Sequence, residues 1–200
     1  MGWDIHVSCQ YTDHQGNLQC GDHYSIMHRI GEQPEYQVIE PIAEFRNYNL
    51  FRPLANVHNQ VQNLEQENAW WNDFYQRSSH QTYGYYSRGH VRDQFKPETS
   101  TPTDVVAAVR INENEVVHPV VKAWVIDHSC NDEMYKVSLQ TLLDFADQHP
   151  TYKMFGEFVR KAYDRYIQCN AYHHQVLAHD GMKPYDLDRN TFMIVYGFDY

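Results

Sequence analysis

Both ends of the chain carry the apolar patterns of β-strands. Residues 3–11 alternate apolar and polar side chains, which is typical of a strand with one buried face. Turn-forming residues follow at 12–17, and residues 18–27 are predicted to return as the second strand of a hairpin, with a bulge or early stop at Gly21-Asp22. Residues 191–198 are apolar on both faces, which predicts a strand at the centre of a sheet or covered on both sides.

The densest helical pattern lies in residues 46–59. Leu50, Phe51, Leu54 and Val57 fall three and four positions apart, with asparagines available to cap both ends. Arg46 precedes this helix, at a position where free N–H groups and the helix dipole favour an anion. We therefore predict that this stretch combines a buried helical face with an anion-binding start.

The remaining pattern predicts further helices. Residues 61–76 are amphipathic, Ser138 can cap a helix over 139–148, and residues 152–177 form the longest helical repeat. A short helix is expected after the Thr-Pro-Thr-Asp sequence at 101–104, whereas residues 116–126 fit either a strand or a buried helix. Residues 127–138 are predicted to be a polar loop, and residues 36–45 an edge strand bent at Pro41. Residues 77–100 are predicted to be a long loop that is either mobile or functional, whose tyrosines could also simply pack on the surface.

These elements predict one α+β domain over residues 1–200. It should contain a small, mostly antiparallel sheet, built from the N-terminal hairpin and the C-terminal strand, packed with several helices. The hydrophobic share of 42% and the aromatic share of 14% are enough for such a core.

Charge and cysteine usage restrict the classes of binding partner and the cellular compartment that we expect. A formal net charge of −10 argues against binding a nucleic acid polymer, although local arginines can still hold a small anion. The four cysteines form no C-x-x-C pair and the N-terminus runs directly into strand-like sequence, so reduced thiols in a cytosol are expected. No apolar run approaches a membrane span, so no membrane partner is expected.

Three patches of the sequence belong together: Asp4-Ile5-His6, Arg46-Asn47-Tyr48 with the following Leu50-Phe51, and His128-Ser129 followed by the Ser-Leu-x-Thr-Leu-Leu-Asp-Phe segment at 138–145. They resemble an uncharacterised family of small proteins of tailed bacteriophages. The ending at 194–199 is similar as well, and residues 130–137 resemble an insertion. The resemblance implies a viral origin, a place in the host cytoplasm, and a site that draws on Asp4, His6, Arg46 and His128.

Several chemistries fit that residue set. Asp4, His6 and His128 could hold a divalent metal, although no cofactor is required; Asp4 and His6 could also form a purely structural network with Arg46. Without a metal, Arg46 would bind a phosphate to which His6 or His128 donates. As catalytic residues, His6 and His128 would instead act as general base and acid on a phosphodiester.

The expected ligand-binding set extends beyond this core. The aromatic and basic residues of the long loop could stack on a base and contact a phosphate: Tyr83, Tyr85, Arg88 and Arg92. Asn47, Tyr48 and Ser129 belong to the patches that carry the resemblance and complete the set.

Together these features lead to one function and two alternatives. The first is an intracellular phage effector that binds and sequesters a small phosphate-bearing nucleotide signal of host defence. The second is a phosphodiesterase or other hydrolase acting on such a nucleotide. The third is a virion or host-protein-binding protein without small-molecule chemistry, supported by the aromatic content. A homo-oligomer is compatible with each of them.

Overall fold

The structure is a computed structural model, and it describes residues 4–28, 30–31, 34–43, 50, 53–54, 105–126 and 134–199. The predicted helix over 61–76 and the predicted loop over 77–100 lie outside these residues.

The main sheet is antiparallel throughout. The described strands are β1 (Asp4–Thr12), β2 (Leu18–Cys20), β3 (His23–Met27), β4 (Glu35–Ile39), β5 (Val109–Arg110), β6 (Met134–Ser138) and β7 (Met193–Asp199). Five of them form the sheet in the order β2-β1-β7-β6-β5. The C-terminal strand β7 is its central member, as its two apolar faces predict.

The N-terminal hairpin is shorter than predicted. Only Leu18–Cys20 returns along β1, whereas His23–Met27 pairs with β4 in a separate two-stranded sheet. The ladder ends at Gly21, whose N–H donates to the Cys9 carbonyl at 2.8 Å. The Asp22 carboxylate then accepts the Cys9 N–H at 3.1 Å, in place of a main-chain carbonyl. A side chain thus ends the pairing and releases the chain to the second sheet, which explains the predicted break at this dipeptide. β4 ends at Ile39, whereas the edge strand was predicted to continue to residue 45.

Three helices are described over their whole length: α1 (Pro119–Ile126), α2 (Leu139–Gln148) and α3 (Lys153–His179). The predicted Ser138 cap is confirmed, because its hydroxyl accepts the Thr141 N–H at 3.1 Å. The longest predicted helix is confirmed as α3, which ends before Gly181 at φ +70°. The apolar run at 116–126 resolves as a helix that begins at Pro119, a favourable first position.

Two predictions in the middle of the chain are wrong. Residues 105–108 are irregular and 109–110 form β5, so the expected short helix does not extend over them. Tertiary contacts hold this segment in an extended form, since the Val106 N–H donates to the Pro53 carbonyl at 2.8 Å and β5 pairs with β6. The predicted polar loop over 127–138 becomes a strand from Met134 onward, where apolar residues contact both cores.

The sheet separates two apolar clusters. Odd-numbered residues of β1, together with α2 and α3, form the larger cluster. Leu50 and Leu54 are helical and buried in it, which confirms the predicted buried face of residues 46–59 at these two positions. The opposite face, which includes Val195, packs against α1 and Val38 of β4. The α+β fold with a mostly antiparallel sheet is thus confirmed.

None of the helices in the described residues has the length and hydropathy that a membrane crossing requires.

Candidate functional site

His6 lies on the face of β1 that α1 covers. Strand alternation places His6, Ser8 and Gln10 on the side opposite the larger cluster. The His6 ring is half-buried and meets Trp124 of α1 edge to face, with ring centroids 6.1 Å apart. Its partner across the strand pair is Gly197, which adds no side chain beside the imidazole. The His6 imidazole therefore lies between the Trp124 ring and a glycine, which contributes only main-chain atoms.

The N-terminal end of α1 is fixed further along the same strand. Gln10 Oε1 accepts the His118 N–H at 3.0 Å, and His118 Nδ1 accepts the Val120 N–H at 3.3 Å. His118 therefore caps α1, and burial lowers its pKa below the ordinary histidine value. Because Trp124 contacts His6, α1 runs along β1 from Gln10 toward the N-terminal end of the strand.

Most of the predicted site residues lie outside the described residues. These are Arg46, Asn47, Tyr48, Tyr83, Tyr85, Arg88, Arg92, His128 and Ser129. His6 is described fully, and Asp4 is described as the first residue of β1, paired with Asp199. The described neighbours of Arg46 in sequence, Ala43 and Leu50, pack on the larger cluster. They lie on the face of the sheet opposite His6.

A buried ion pair, absent from the sequence predictions, joins α3 to the break after β2. Arg165 Nη1 lies 3.0 Å from Asp22 Oδ1, and Ser8 Oγ donates to the other carboxylate oxygen at 2.5 Å. Burial raises the pKa of Asp22, while Ser8 and Arg165 oppose that rise. Arg165 Nη2 also donates to the Glu40 carbonyl at 2.7 Å, where Glu40 has φ +52°. The pair is thus a structural centre that fixes three segments, in a place closed to solvent.

Three free thiols surround the same break: Cys9, Cys20 and Cys169. The Cys169 thiol donates to the Gly21 carbonyl at 3.2 Å. Burial raises the pKa of Cys20 and of Cys169 to about 12 and also raises that of Cys9. Burial therefore disfavours the thiolate form of these three cysteines, and the thiolate is the form that acts as a nucleophile.

A cluster of histidines and aspartates lies at the other end of β1. His14 Nε2 is 2.8 Å from Asp180 Oδ2, and His174 Nε2 is 2.9 Å from Asp186 Oδ1. The His14 and His173 ring centroids are 6.2 Å apart. Burial first, then His14 and His174, lower the pKa of His173.

Sequence reasoning missed this cluster because its members come from a turn and from a helix far along the chain. The available signals were the Asp13-His14 turn and the adjacent His173-His174 in a helix. Neither has a spacing that specifies a site, because the contact depends on how α3 packs on the sheet.

Among the described residues, no group of three or more histidine, cysteine, aspartate or glutamate side chains is arranged to hold a metal ion. The hypothesis of a metal at Asp4, His6 and His128 involves residues beyond that part of the chain. Comparisons with protein-family models, curated proteins and solved structures found no match to this chain.

Proposed function

We propose that this chain is a bacteriophage protein that binds and sequesters a small phosphate-bearing nucleotide of host defence in the host cytoplasm. The observation that carries the proposal is the position of His6, half-buried between Trp124 and a strand partner without a side chain. An imidazole in this setting can donate a hydrogen bond to a phosphate oxygen. The viral origin and the host compartment rest on the sequence resemblance.

The direction of α1 supports a site at the N-terminal end of β1. The helix ends at Ile126, and His128 follows only two positions later in the sequence. Trp124, one half-turn before that end, already contacts His6. Two consecutive residues span at most about 7 Å of chain. This supports the expectation that His128 and Ser129 join His6 in one site.

The same geometry restricts how Arg46 can take part. Ala43 and Leu50, which flank it in sequence, pack on the opposite face of the sheet from His6. The proposal therefore requires Arg46 and His6 to reach one phosphate around an edge of the sheet, and the Asp4 end of β1 is the edge nearest to His6. The proposal assigns Arg46, with Asn47 and Tyr48, to the phosphate at that end. It assigns Tyr83, Tyr85, Arg88 and Arg92 to the base and outer phosphates.

The test is ligand capture by the purified protein. We expect the supernatant of heat-denatured protein to absorb near 260 nm, or the native protein to bind one member of a panel of cyclic nucleotides and ADP-ribose derivatives. His6→Asn should weaken binding at least tenfold, because the shorter amide does not reach the position from which the far imidazole N–H would donate to phosphate. His23→Asn, at an exposed histidine on β3, is the matched control and should bind as the unaltered chain does.

The form of the recovered ligand separates capture from turnover. Intact nucleotide after incubation and heating supports sequestration, whereas a cleaved product supports the phosphodiesterase in which His6 and His128 are acid and base. Equal loss of binding in both histidine variants, or none in His6→Asn, would contradict the assignment of the site.

One observation favours a protein-binding role as the second candidate. The β3–β4 hairpin exposes several large apolar side chains, among them Ile26 at 46% and Ile39 at 49%. Tyr24 and Met27 are also exposed on it. Exposed aromatic and apolar residues on a two-stranded sheet are common at protein interfaces. If the nucleotide panel shows no binding, a host-protein or virion contact through this hairpin becomes the leading function.

A further inference from the structure

The turn between β1 and β2 buries one imidazole nitrogen without a hydrogen-bond partner. The His14 side chain is 7% exposed, and its Nε2 is held by Asp180 at 2.8 Å. When the Nε2 proton points at that carboxylate, the neutral ring has its lone pair on Nδ1. Nδ1 is buried and has no partner among the described residues. A buried acceptor without a donor indicates an ion or water that belongs there.

A second buried nitrogen of the same kind lies close by on α3. His173 is 3% exposed, and its Nε2 also lacks a partner within the described chain. The centres of the His14 and His173 rings are 6.2 Å apart, with the planes tilted by 56°. The two nitrogens do not hydrogen-bond each other, since each is without a partner.

We propose that His14 Nδ1 and His173 Nε2 bind a divalent transition-metal ion, with Zn²⁺ as the representative ligand. Two imidazoles that share one ion at about 2 Å from each nitrogen have ring centres roughly 5 to 6 Å apart. The observed separation of 6.2 Å lies just above this range, so the two rings must approach each other slightly to share one ion. We call these two residues the two-histidine site.

The surroundings of the two-histidine site favour a cation. A carboxylate on the far nitrogen is the usual partner of a metal-binding histidine, because it fixes the tautomer and the ring orientation. Asp180 has this position on His14. Asp13 and Asp186 are near enough to His173 to interact with it electrostatically. These carboxylates add negative charge around the pair.

Two protein ligands leave the coordination of the ion incomplete. No described group of three or more acidic, histidine or cysteine side chains converges on a metal. Water or an external anion would therefore occupy the remaining positions, which predicts reversible binding weaker than that of a structural zinc site. The two-histidine site lies beyond the C-terminal end of β1, whereas His6 lies near the start of the strand. It is therefore separate from the proposed nucleotide site.

The test is calorimetric titration of tag-free, chelator-treated protein with Zn²⁺. We expect one equivalent to bind, and His14→Asn and His173→Asn each to weaken binding at least tenfold. His179→Asn is the control, because this exposed histidine also contacts Asp180 but lies outside the pair. The His179→Asn protein should bind Zn²⁺ with the affinity of the unaltered chain. Co²⁺ in place of Zn²⁺ gives a visible spectrum that reports nitrogen ligation independently of any activity.

A further variant keeps the test decisive if the histidine variants do not fold. Asp180→Asn leaves both rings in place and removes only the carboxylate behind His14, so binding should weaken about 10- to 100-fold. No binding of Zn²⁺ by the unaltered protein at millimolar concentration would overturn the proposal. Unchanged Zn²⁺ affinity in a folded His14→Asn or His173→Asn variant would also overturn it. If neither histidine variant folds, unchanged Zn²⁺ affinity in Asp180→Asn would overturn it.

Discussion

At the scale of single residues, Gly21 shows how closely the chain packs at the break after β2. A Cβ built at this position would lie 2.5 Å from Cys9 Sγ and 3.2 Å from Cys169 Sγ. The first distance is shorter than real carbon–sulfur contacts allow, and both sulfurs belong to buried side chains. The absence of a side chain therefore lets β1 and α3 approach each other here.

We predict that Gly21→Ala destabilises the fold by about 1 to 3 kcal/mol, because the added methyl overpacks a filled core. Urea unfolding followed by circular dichroism measures the change. Gly156→Ala is the matched control, since no atom beyond its chain neighbours and the adjacent backbone of α3 lies within 4 Å of the position that its methyl would take. It should be neutral or stabilise by up to about 1 kcal/mol through helix propensity. A Gly21→Ala variant as stable as the control would contradict the packing argument.

Sequence reasoning located residues whose role is local and missed those whose role depends on tertiary contact. Ser138, for example, follows from capping rules that act within a few residues. Asp22 and Arg165 meet only when α3 lies across the break after β2. No periodicity in the sequence encodes that meeting.

At the scale of elements, the junction between β6 and α2 concentrates two roles in one residue. Ser138 is the last residue of β6, paired with Met193, and its hydroxyl caps α2. The main-chain pairing does not depend on the hydroxyl. The cap can therefore be removed without disturbing the sheet.

We predict that Ser138→Ala destabilises the protein by about 1 kcal/mol, because the Thr141 N–H loses its acceptor at the helix start. The shift of the urea midpoint at constant slope gives this value. Ser138→Thr retains a hydroxyl and suits a strand, so it should recover most of the loss. If both variants lose the same stability, the methyl or the packing, and not the cap, would be responsible.

The elements that sequence reasoning placed correctly are those with a clear period. The 27 residues of α3 and the alternation along β1 carry their own signal. The two-residue strand β5 carries none, and only pairing with Lys136 and Tyr135 defines it. This explains why a helix was predicted where the sheet has an edge strand.

At the scale of the whole molecule, the two faces of the sheet are covered unequally. Two helices, including the longest, cover the larger cluster, whereas the face that carries His6 is covered among the described elements by α1 and the β3–β4 hairpin. The order of strands follows from the sequence only in part. The apolar β7 was predicted at the centre of a sheet or covered on both sides, but the second sheet and the route of α1 follow from Asp22 and Gln10, whose contacts are tertiary.

The attachment of α1 is sensitive to pH through His118. Its Nδ1 must be unprotonated to accept the Val120 N–H, and burial lowers its pKa in the folded state. The unfolded chain therefore binds this proton more readily than the folded one. Stability from the cap is complete above the unfolded pKa of about 6.5, and it is lost as the pH falls through the lower folded pKa.

We therefore predict that global stability falls between pH 7.5 and pH 5.5, and that part of this fall belongs to His118. His118→Asn keeps a side-chain acceptor at the cap and removes the titration, so its stability should change less over the same interval. Urea midpoints of both proteins at the two pH values give the comparison, and their difference cancels the other histidines. Equal pH dependence in the two proteins would mean that α1 stays capped when acidified. The loss of stability at low pH would then come from other groups, and the packing of α1 over the His6 face would be independent of pH.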